Sequence, residues 1–479
     1  MMQGTRSRVL RMNRLGLRIA CKATRGTCCR SPRVVATSRP LWSRVNAIGA
    51  SVQRRLLSGS ERRPGPGEEP QEEEAGLYTT RKVSSNEHET LEWFLRTRRV
   101  QVDLPGIERF PLFWLRDNCQ CSQCIHPETH QRTVDTFSIP EDIEVEDIKP
   151  EESTIAINWS DGHTGVYPRT WLKSHVFPEV VRRWNGRGYS LRPFESVPAN
   201  YKSLPAVSFN DVMNKEESVL EWLEKIVKYG FCTVTDVPVN PESTKALLER
   251  IAFIRLTHYG GFWDFTSDLT VKDTAYTSEA LGAHTDNTYF TDPSRLQLLH
   301  LLSHTEGSGG ATILVDGFKA AEILQNEDPF HAETLARLHQ PWHASGNEDV
   351  CIQPGLTFPV LNRDPVSGVL YQVRWNNYDR AAGVDSLARQ MNWYAAARHW
   401  NEIIHRPDME IWMQMQPGTA LIFDNWRMMH GRSEFTGKRR LCGGYINGDD
   451  FASRYRLLKW GRETTLNTLG TPGTQHRIF

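Results

Sequence analysis

Ala283-His284-Thr285-Asp286-Asn287 sets a histidine and a carboxylate two residues apart, and Asn425-Trp426-Arg427-Met428-Met429-His430-Gly431 supplies another histidine 144 residues beyond Asp286. Residues two apart in an extended segment project to the same side. Two histidines and one carboxylate that leave half an octahedron open form the facial arrangement suited to non-haem Fe(II) oxygenase chemistry. A His-x-Asp pair alone carries little information. The fold must therefore be one that returns a late strand beside an early one.

The surrounding sequence predicts such a fold. Segments 296–302, 311–315, 369–375, 411–415, 420–423 and 441–446 read as strands, separated by turn signals such as Ser308-Gly309-Gly310 and Pro417-Gly418. Ahead of them, Val219, Leu220, Trp222, Leu223, Ile226 and Val227 mark a helical face over 218–229 that Gly230 ends. A strand at 231–234 and a helix capped by Ser243 and running through Ile251 follow, and one long helix at 385–404 interrupts the later strands. Many short strands with Gly/Pro turns imply a mainly β protein with flanking helices, whose catalytic domain (206–455) is a jelly roll, or double-stranded β-helix. Segment 330–352 offers no usable motif, and 456–479 reads as a C-terminal tail.

Lys438-Arg439-Arg440 heads the last strand. A 2-oxo acid that chelates iron needs a buried cation for its distal carboxylate, and arginine suits bidentate pairing. Thr312, after Gly309-Gly310, can add a hydroxyl donor. The competing reading of the basic run is a solvated surface charge. Tyr259, Trp263, Tyr276 and Tyr445 lie near the His-x-Asp or the arginines in sequence. Aromatic faces around a cavity attract quaternary ammonium groups, although core packing is their ordinary use.

Cys119, Cys121 and Cys124 place three thiols in six residues. In a reduced compartment such clustering points to metal before disulfide, and a closed tetrahedral zinc site needs a fourth ligand. His126, His130 and His163 compete for that place, with three ordinary thiols as the alternative. A hairpin predicted at 153–159 and 164–167 makes 77–190 a small, mostly β domain, joined to the next by a Pro-rich linker at 191–205.

The formal net charge of zero hides an asymmetry: residues 1–60 hold 13 Lys or Arg and no acid, leaving 44 basic and 57 acidic residues beyond them, a net of −13. An Arg-rich, acid-free start has the composition of a mitochondrial transit peptide, expected at 1–57, and the Glu/Pro/Gly-rich 58–76 reads as a disordered linker. The acidic remainder argues against nucleic acid as a partner. With a mean hydropathy of −0.51 and no apolar run approaching the roughly 18 residues a spanning helix needs, no membrane partner is expected either.

Taken together, segments 114–124, 259–290, 309–317, 376–380 and 424–445 resemble the γ-butyrobetaine hydroxylase/trimethyllysine dioxygenase family of Fe(II)/2-oxoglutarate oxygenases, which serve carnitine synthesis. The similarity runs from about 91 to 450. It implies Fe(II) at His284, Asp286 and His430, and 2-oxoglutarate held by Arg439, the arginine six residues before Tyr445, with Thr312 nearby. It also implies structural zinc at Cys119, Cys121, Cys124 and His163, and a trimethylammonium cage of Tyr259, Trp263, Tyr276 and Tyr445. Asn376 or Asn377 is expected near the substrate carboxylate. Trp263–Asp268 and 273–277 are similar to the members acting on trimethyllysine, which implies its hydroxylation at C3, with Asp268 as a partner for the α-ammonium. Hydroxylation of γ-butyrobetaine and a non-catalytic methylammonium-binding module are the alternatives. Ascorbate as a further cofactor and a homodimer follow from the same resemblance, while the expected transit peptide, with Arg55-Leu56-Leu57-Ser58 as a processing site, implies the mitochondrial matrix.

Overall fold

Strands buried on both faces read as continuous apolar runs, and the observed architecture explains why this chain has them. The computed structural model describes residues 101–104, 107, 109–175, 188–266, 277–383 and 385–470, all within the compact unit Ser85–Phe479. The transit peptide and linker expected at 1–76, and the candidate residues Asp268 and Tyr276, lie outside the described residues.

The N-terminal part opens with β1 (Gln101–Asp103) paired to β2 (Arg109–Pro111), then the helix Leu112–Asp117. The predicted hairpin forms the centre and one edge of a three-stranded antiparallel sheet of β3 (Val145–Pro150), β4 (Thr154–Trp159) and β5 (Thr164–Pro168). On β4 the alternation places Ile155, Ile157 and Trp159 in a core with Phe110, Leu115, Tyr167 and Leu172. Residues 191–205 contain no regular element yet are pinned down. Arg427 Nη2 donates to Glu195 O at 2.7 Å, and Val197, Tyr201 and Leu204 pack against a buried cluster.

The rest is a two-sheet sandwich. One sheet has the order β6-β7-β15-β10-β17-β8, made of Ala206–Ser208, Phe231–Thr235, Ala420–Asp424, Leu296–Thr305, Lys438–Ile446 and Trp263–Thr266 respectively. The other has the order β14-β11-β16-β9: Glu410–Met413, Thr312–Asp316, Met428–Arg432 and Leu281–His284. A small pair, β12 (Leu361–Arg363) with β13 (Leu370–Val373), stands apart. Among the described residues, the pairings between these strands are antiparallel except β6 with β7.

Three apolar layers follow from the period-2 pattern. On β15, Leu421 and Phe423 face the inner core between the sheets, while Ala420 and Ile422 meet helices Glu216–Tyr229 and Pro241–Glu249 outside. On β11, Leu314 faces inward, and Ile313 and Val315 pack under helices Gly317–Glu327, Pro329–Arg337 and Leu387–Ile404.

Several local readings change. The helix expected to start at Ser243 is capped instead by Asn240, whose Oδ1 accepts from Ser243 N at 2.8 Å, with Pro241 in its first turn. Segment 330–352 contains a helix. The expected tail after 455 continues the helix Gly448–Asn467, kinked at Gly461, with Leu458 and Trp460 packed on the outer core.

Candidate active site

His284 closes β9 and His430 lies in β16, and the two are direct cross-strand partners. The sandwich thus removes the 144-residue separation by pairing the strands. The carboxylate between them is fixed by backbone clamping. Thr285 N donates to Trp375 O at 2.7 Å, and the Asn425 side chain both accepts from Asp286 N at 2.7 Å and donates to Asp286 O at 3.0 Å. Asn287 takes a left-handed φ of 61°, turning the chain away after the carboxylate.

The ligand atoms converge. His284 Nδ1 donates to Gly282 O at 2.8 Å, which leaves Nε2 with a lone pair, 3.3 Å from Asp286 Oδ1. His430 Nε2 lies 3.8 Å from the same oxygen. Asp286 Oδ2 accepts from Tyr445 Oη at 2.8 Å, so only Oδ1 faces the cluster. Burial alone would raise the Asp286 pKa, but the two histidines and the Tyr445 hydroxyl outweigh it and hold the carboxyl well below the usual carboxylate range. Burial, with His284 nearby, pushes His430 down to about 3. An ionised carboxylate and a neutral imidazole are the states a metal ligand needs. Burial opposes a charge on His284, but Asp286 raises its pKa, so a divalent ion would take the place of that proton. Two imidazoles and one carboxylate oxygen are the donor set of a facially coordinated divalent ion, and all three line a cavity.

That cavity lies between the sheets and is lined from both. On β17, Arg439, Leu441 and Tyr445 share the inward face. Gly443, on the same face, leaves room for Trp263: a Cβ there would sit 2.4 Å from the indole. Trp263 and Tyr445 meet edge to face, with centroids 6.1 Å apart. Tyr259 joins them, its hydroxyl 3.1 Å from that of Tyr289, an aromatic wall residue that spacing alone did not reveal. Tyr289 sits three residues past Asp286, which was the available signal.

The two adjacent arginines separate. Arg440 points outward and pairs with Asp264. Arg439 is buried, lines the cavity beside Thr312, and among the described residues has no carboxylate partner. Burial and the neighbouring Arg432 push it down to about 10. A desolvated cation facing a cavity without a counter-ion is a receptor for an anion.

The two asparagines separate as well. Asn376 lines the cavity and donates to Asp379 Oδ2 at 2.8 Å, whereas Asn377 is exposed and accepts from Arg380. Asp379, which sequence reading passed over, is the half-buried acid on the cavity wall apart from Asp286.

In the N-terminal part, His163 Nε2 lies 3.3, 3.6 and 3.5 Å from the sulfurs of Cys119, Cys121 and Cys124. Of the three histidines in competition, only His163 joins the thiols. Arg116 lies 3.6 Å from Cys124 Sγ and is anchored by Asp161, so a cation already faces a thiolate position. Three sulfurs and one nitrogen within 4.8 Å of one another are the donor types of a closed tetrahedral site, and fit structural zinc.

Comparison with known proteins agrees with this geometry. The family model for taurine catabolism dioxygenase TauD, TfdA family matches residues 193–445, and that for the gamma-butyrobetaine hydroxylase-like N-terminal region matches 97–173. The chain is 44% identical over 393 residues to trimethyllysine dioxygenase of Neurospora crassa, covering 74% of this chain and 82% of that one. It is 38% identical to the mitochondrial trimethyllysine dioxygenase of Homo sapiens, covering 74% and 83%. Similarity to the gamma-butyrobetaine dioxygenase of a Pseudomonas is lower, 29% over 74% and 91%. The chain belongs to the TauD, TfdA dioxygenase family, within its group of trimethyllysine dioxygenases.

Proposed function

We propose that this dioxygenase hydroxylates N6,N6,N6-trimethyllysine at C3, the first step of carnitine synthesis, while 2-oxoglutarate is oxidatively decarboxylated to succinate and CO2. One atom of O2 enters the new C–OH and the other enters succinate, so the two products form in equal amounts. The observation that carries this reading is the buried Arg439, which among the described residues has no carboxylate partner, in one cavity with the His284–Asp286–His430 cluster. Bound Fe(II) supplies the activation of O2. The chain itself binds, orients and keeps the site dry.

In this reading Arg439 and Thr312 hold the distal carboxylate of 2-oxoglutarate, and Tyr445 directs Asp286 so that one carboxylate oxygen faces the metal. Tyr259, Trp263 and Tyr445, with Tyr276 from outside the described residues, surround the trimethylammonium, an attraction worth about 2 kcal/mol or more when desolvated. Leu281, Leu299 and Leu441 supply apolar wall. Asn376 faces the amino-acid end of the substrate, and Asp379 beside it is our partner for the α-ammonium; Asp268 stays as a second acid to test.

Succinate release measured with trimethyllysine and with γ-butyrobetaine tests the proposal. We expect faster turnover with trimethyllysine, and faster turnover with γ-butyrobetaine would overturn it. Asp379→Asn should raise the KM for trimethyllysine about tenfold, since a hydrogen bond to a charged group is worth about 1.5–3 kcal/mol. It should leave γ-butyrobetaine, which has no α-ammonium, unaffected.

The same reading divides the chain into a transit peptide (1–57), linker (58–76), zinc-bearing domain (77–190), linker (191–205) and oxygenase domain from 206. It places the protein in the mitochondrial matrix as a homodimer, with ascorbate maintaining reduced iron. The acid-free N-terminus and the mitochondrial mammalian relatives support the address. The Cys3His cluster supports the zinc.

A further inference from the structure

A second group of metal-ligating side chains lies away from the cavity, where three helices of the outer layer meet. Asp328 caps the helix Pro329–Arg337, His331 sits in its first turn, and His399 projects from the helix Leu387–Ile404. His331 Nδ1 lies 3.1 Å from His399 Nδ1 and 3.2 Å from Asp328 Oδ2. All three donor atoms fall within 4.8 Å of one another.

The capping function does not use the inward oxygen. Asp328 Oδ1 accepts from Phe330 N at 2.9 Å and from His331 N at 3.0 Å, which leaves Oδ2 for the triangle. On the far side, His399 Nε2 donates to Glu327 Oε2 at 2.9 Å, and Arg406 anchors that carboxylate with contacts of 2.6 and 2.9 Å. A proton fixed on Nε2 leaves the Nδ1 lone pair of a neutral His399 facing His331. A carboxylate behind a histidine is the support that fixes tautomer and raises basicity in metal-bound imidazoles. A proton on His331 Nδ1 can serve the triangle, and so can a cation at its centre. Zinc–nitrogen bonds of about 2.0–2.1 Å in a tetrahedral site place neighbouring ligand atoms about 3.3 Å apart, close to both observed edges. The His331 and His399 side chains keep about a fifth of their surface exposed, 22% and 20%, so solvent reaches the cluster.

We propose that Asp328, His331 and His399 bind a divalent transition-metal ion of the zinc class, distinct from the iron and Cys3His clusters, with Glu327 and Arg406 as the supporting pair. The ion ties the end of the helix Gly317–Glu327 and the start of the helix Pro329–Arg337 to the helix Leu387–Ile404. That last helix carries Trp400, which meets Trp375, the residue that clamps Thr285 in the His-x-Asp turn.

The test is equilibrium dialysis of Zn(II) against the full chain with Fe(II), 2-oxoglutarate and its Cys3His zinc in place, comparing wild type with His331→Ala/His399→Ala. Wild type should bind one more Zn(II) per chain than the double variant, and Zn(II) should raise the Tm of wild type only. Glu327→Gln should weaken the additional site about 10–100-fold while keeping its stoichiometry. If the double variant does not fold, Asp328→Asn, which keeps a capping oxygen, decides in its place by an at least tenfold loss of affinity. Equal Zn(II) stoichiometry and affinity in wild type and the deciding variant overturns the proposal.

Discussion

Arg439 and Arg440 are adjacent and chemically identical, yet alternation along β17 sends one into the cavity and the other to an exposed pair with Asp264. From sequence, only the family resemblance, whose arginine lies six residues before the tyrosine, favoured Arg439; in the fold it is Arg439 that is buried on the cavity wall. Arg439→Gln should raise the KM for 2-oxoglutarate roughly tenfold or more, since a charge-assisted hydrogen bond is worth about 1.5–3 kcal/mol. The KM for trimethyllysine should stay unchanged, and a steady-state titration of each substrate checks the split. Tyr445 shows what single residues conceal. Read as a cage aromatic, it also holds Asp286 Oδ2 at 2.8 Å. Tyr445→Phe keeps the ring and deletes that bond, so Fe(II) affinity or kcat should fall about 10–100-fold while the KM for the ammonium substrate moves little. Asn376 and Asn377 could not be told apart in sequence, because which one faces the cavity depends on the turn after β13.

At the scale of elements, the runs that became β10, β11, β15 and β17 were legible because they are apolar on both faces of the sandwich. The strands that carry the two histidines were not. β9 is four residues long and includes Gly282, and β16 mixes Met, His, Gly and Arg, so neither displays a hydrophobic period. Their pairing is enforced from outside the strands. Arg427, in the turn before β16, is buried against Asp316 at 2.6 Å and also donates to Lys228 O and Glu195 O. It joins the end of β11, the helix before β7 and the segment at 191–205. Arg427→Met leaves a buried Asp316 without its cationic partner and should destabilise the fold by about 3–5 kcal/mol, read as a lowered urea midpoint. Asn425 acts one level closer to the chemistry. Asn425→Ala should reduce turnover more than it lowers the Tm, because its bonds hold the Asp286 backbone.

For the whole molecule, the charge asymmetry, the oxygenase fold and the outer helices at 216–229, 241–249 and 387–404 could be read from composition, periodicity and motifs, whereas the rest of the helical layers could not. The helix at 329–337 and the helix through 467 add outer packing that no motif announced. The Cys3His cluster unites the helix Leu112–Asp117 region with the β4–β5 turn, so zinc should stabilise the small β unit as a whole. Cys121→Ser should lose one zinc per chain by elemental analysis and make the region at 97–173 the first site of proteolysis. Retention of that zinc would rule out the assignment. One cavity couples two oxidations in the proposed reaction, and isotopically labelled dioxygen follows both at once. With trimethyllysine and 2-oxoglutarate, we predict one labelled oxygen in 3-hydroxy-trimethyllysine and one in succinate, in equal amounts; unlabelled hydroxylated product, or labelled succinate with no hydroxylated product, would contradict it.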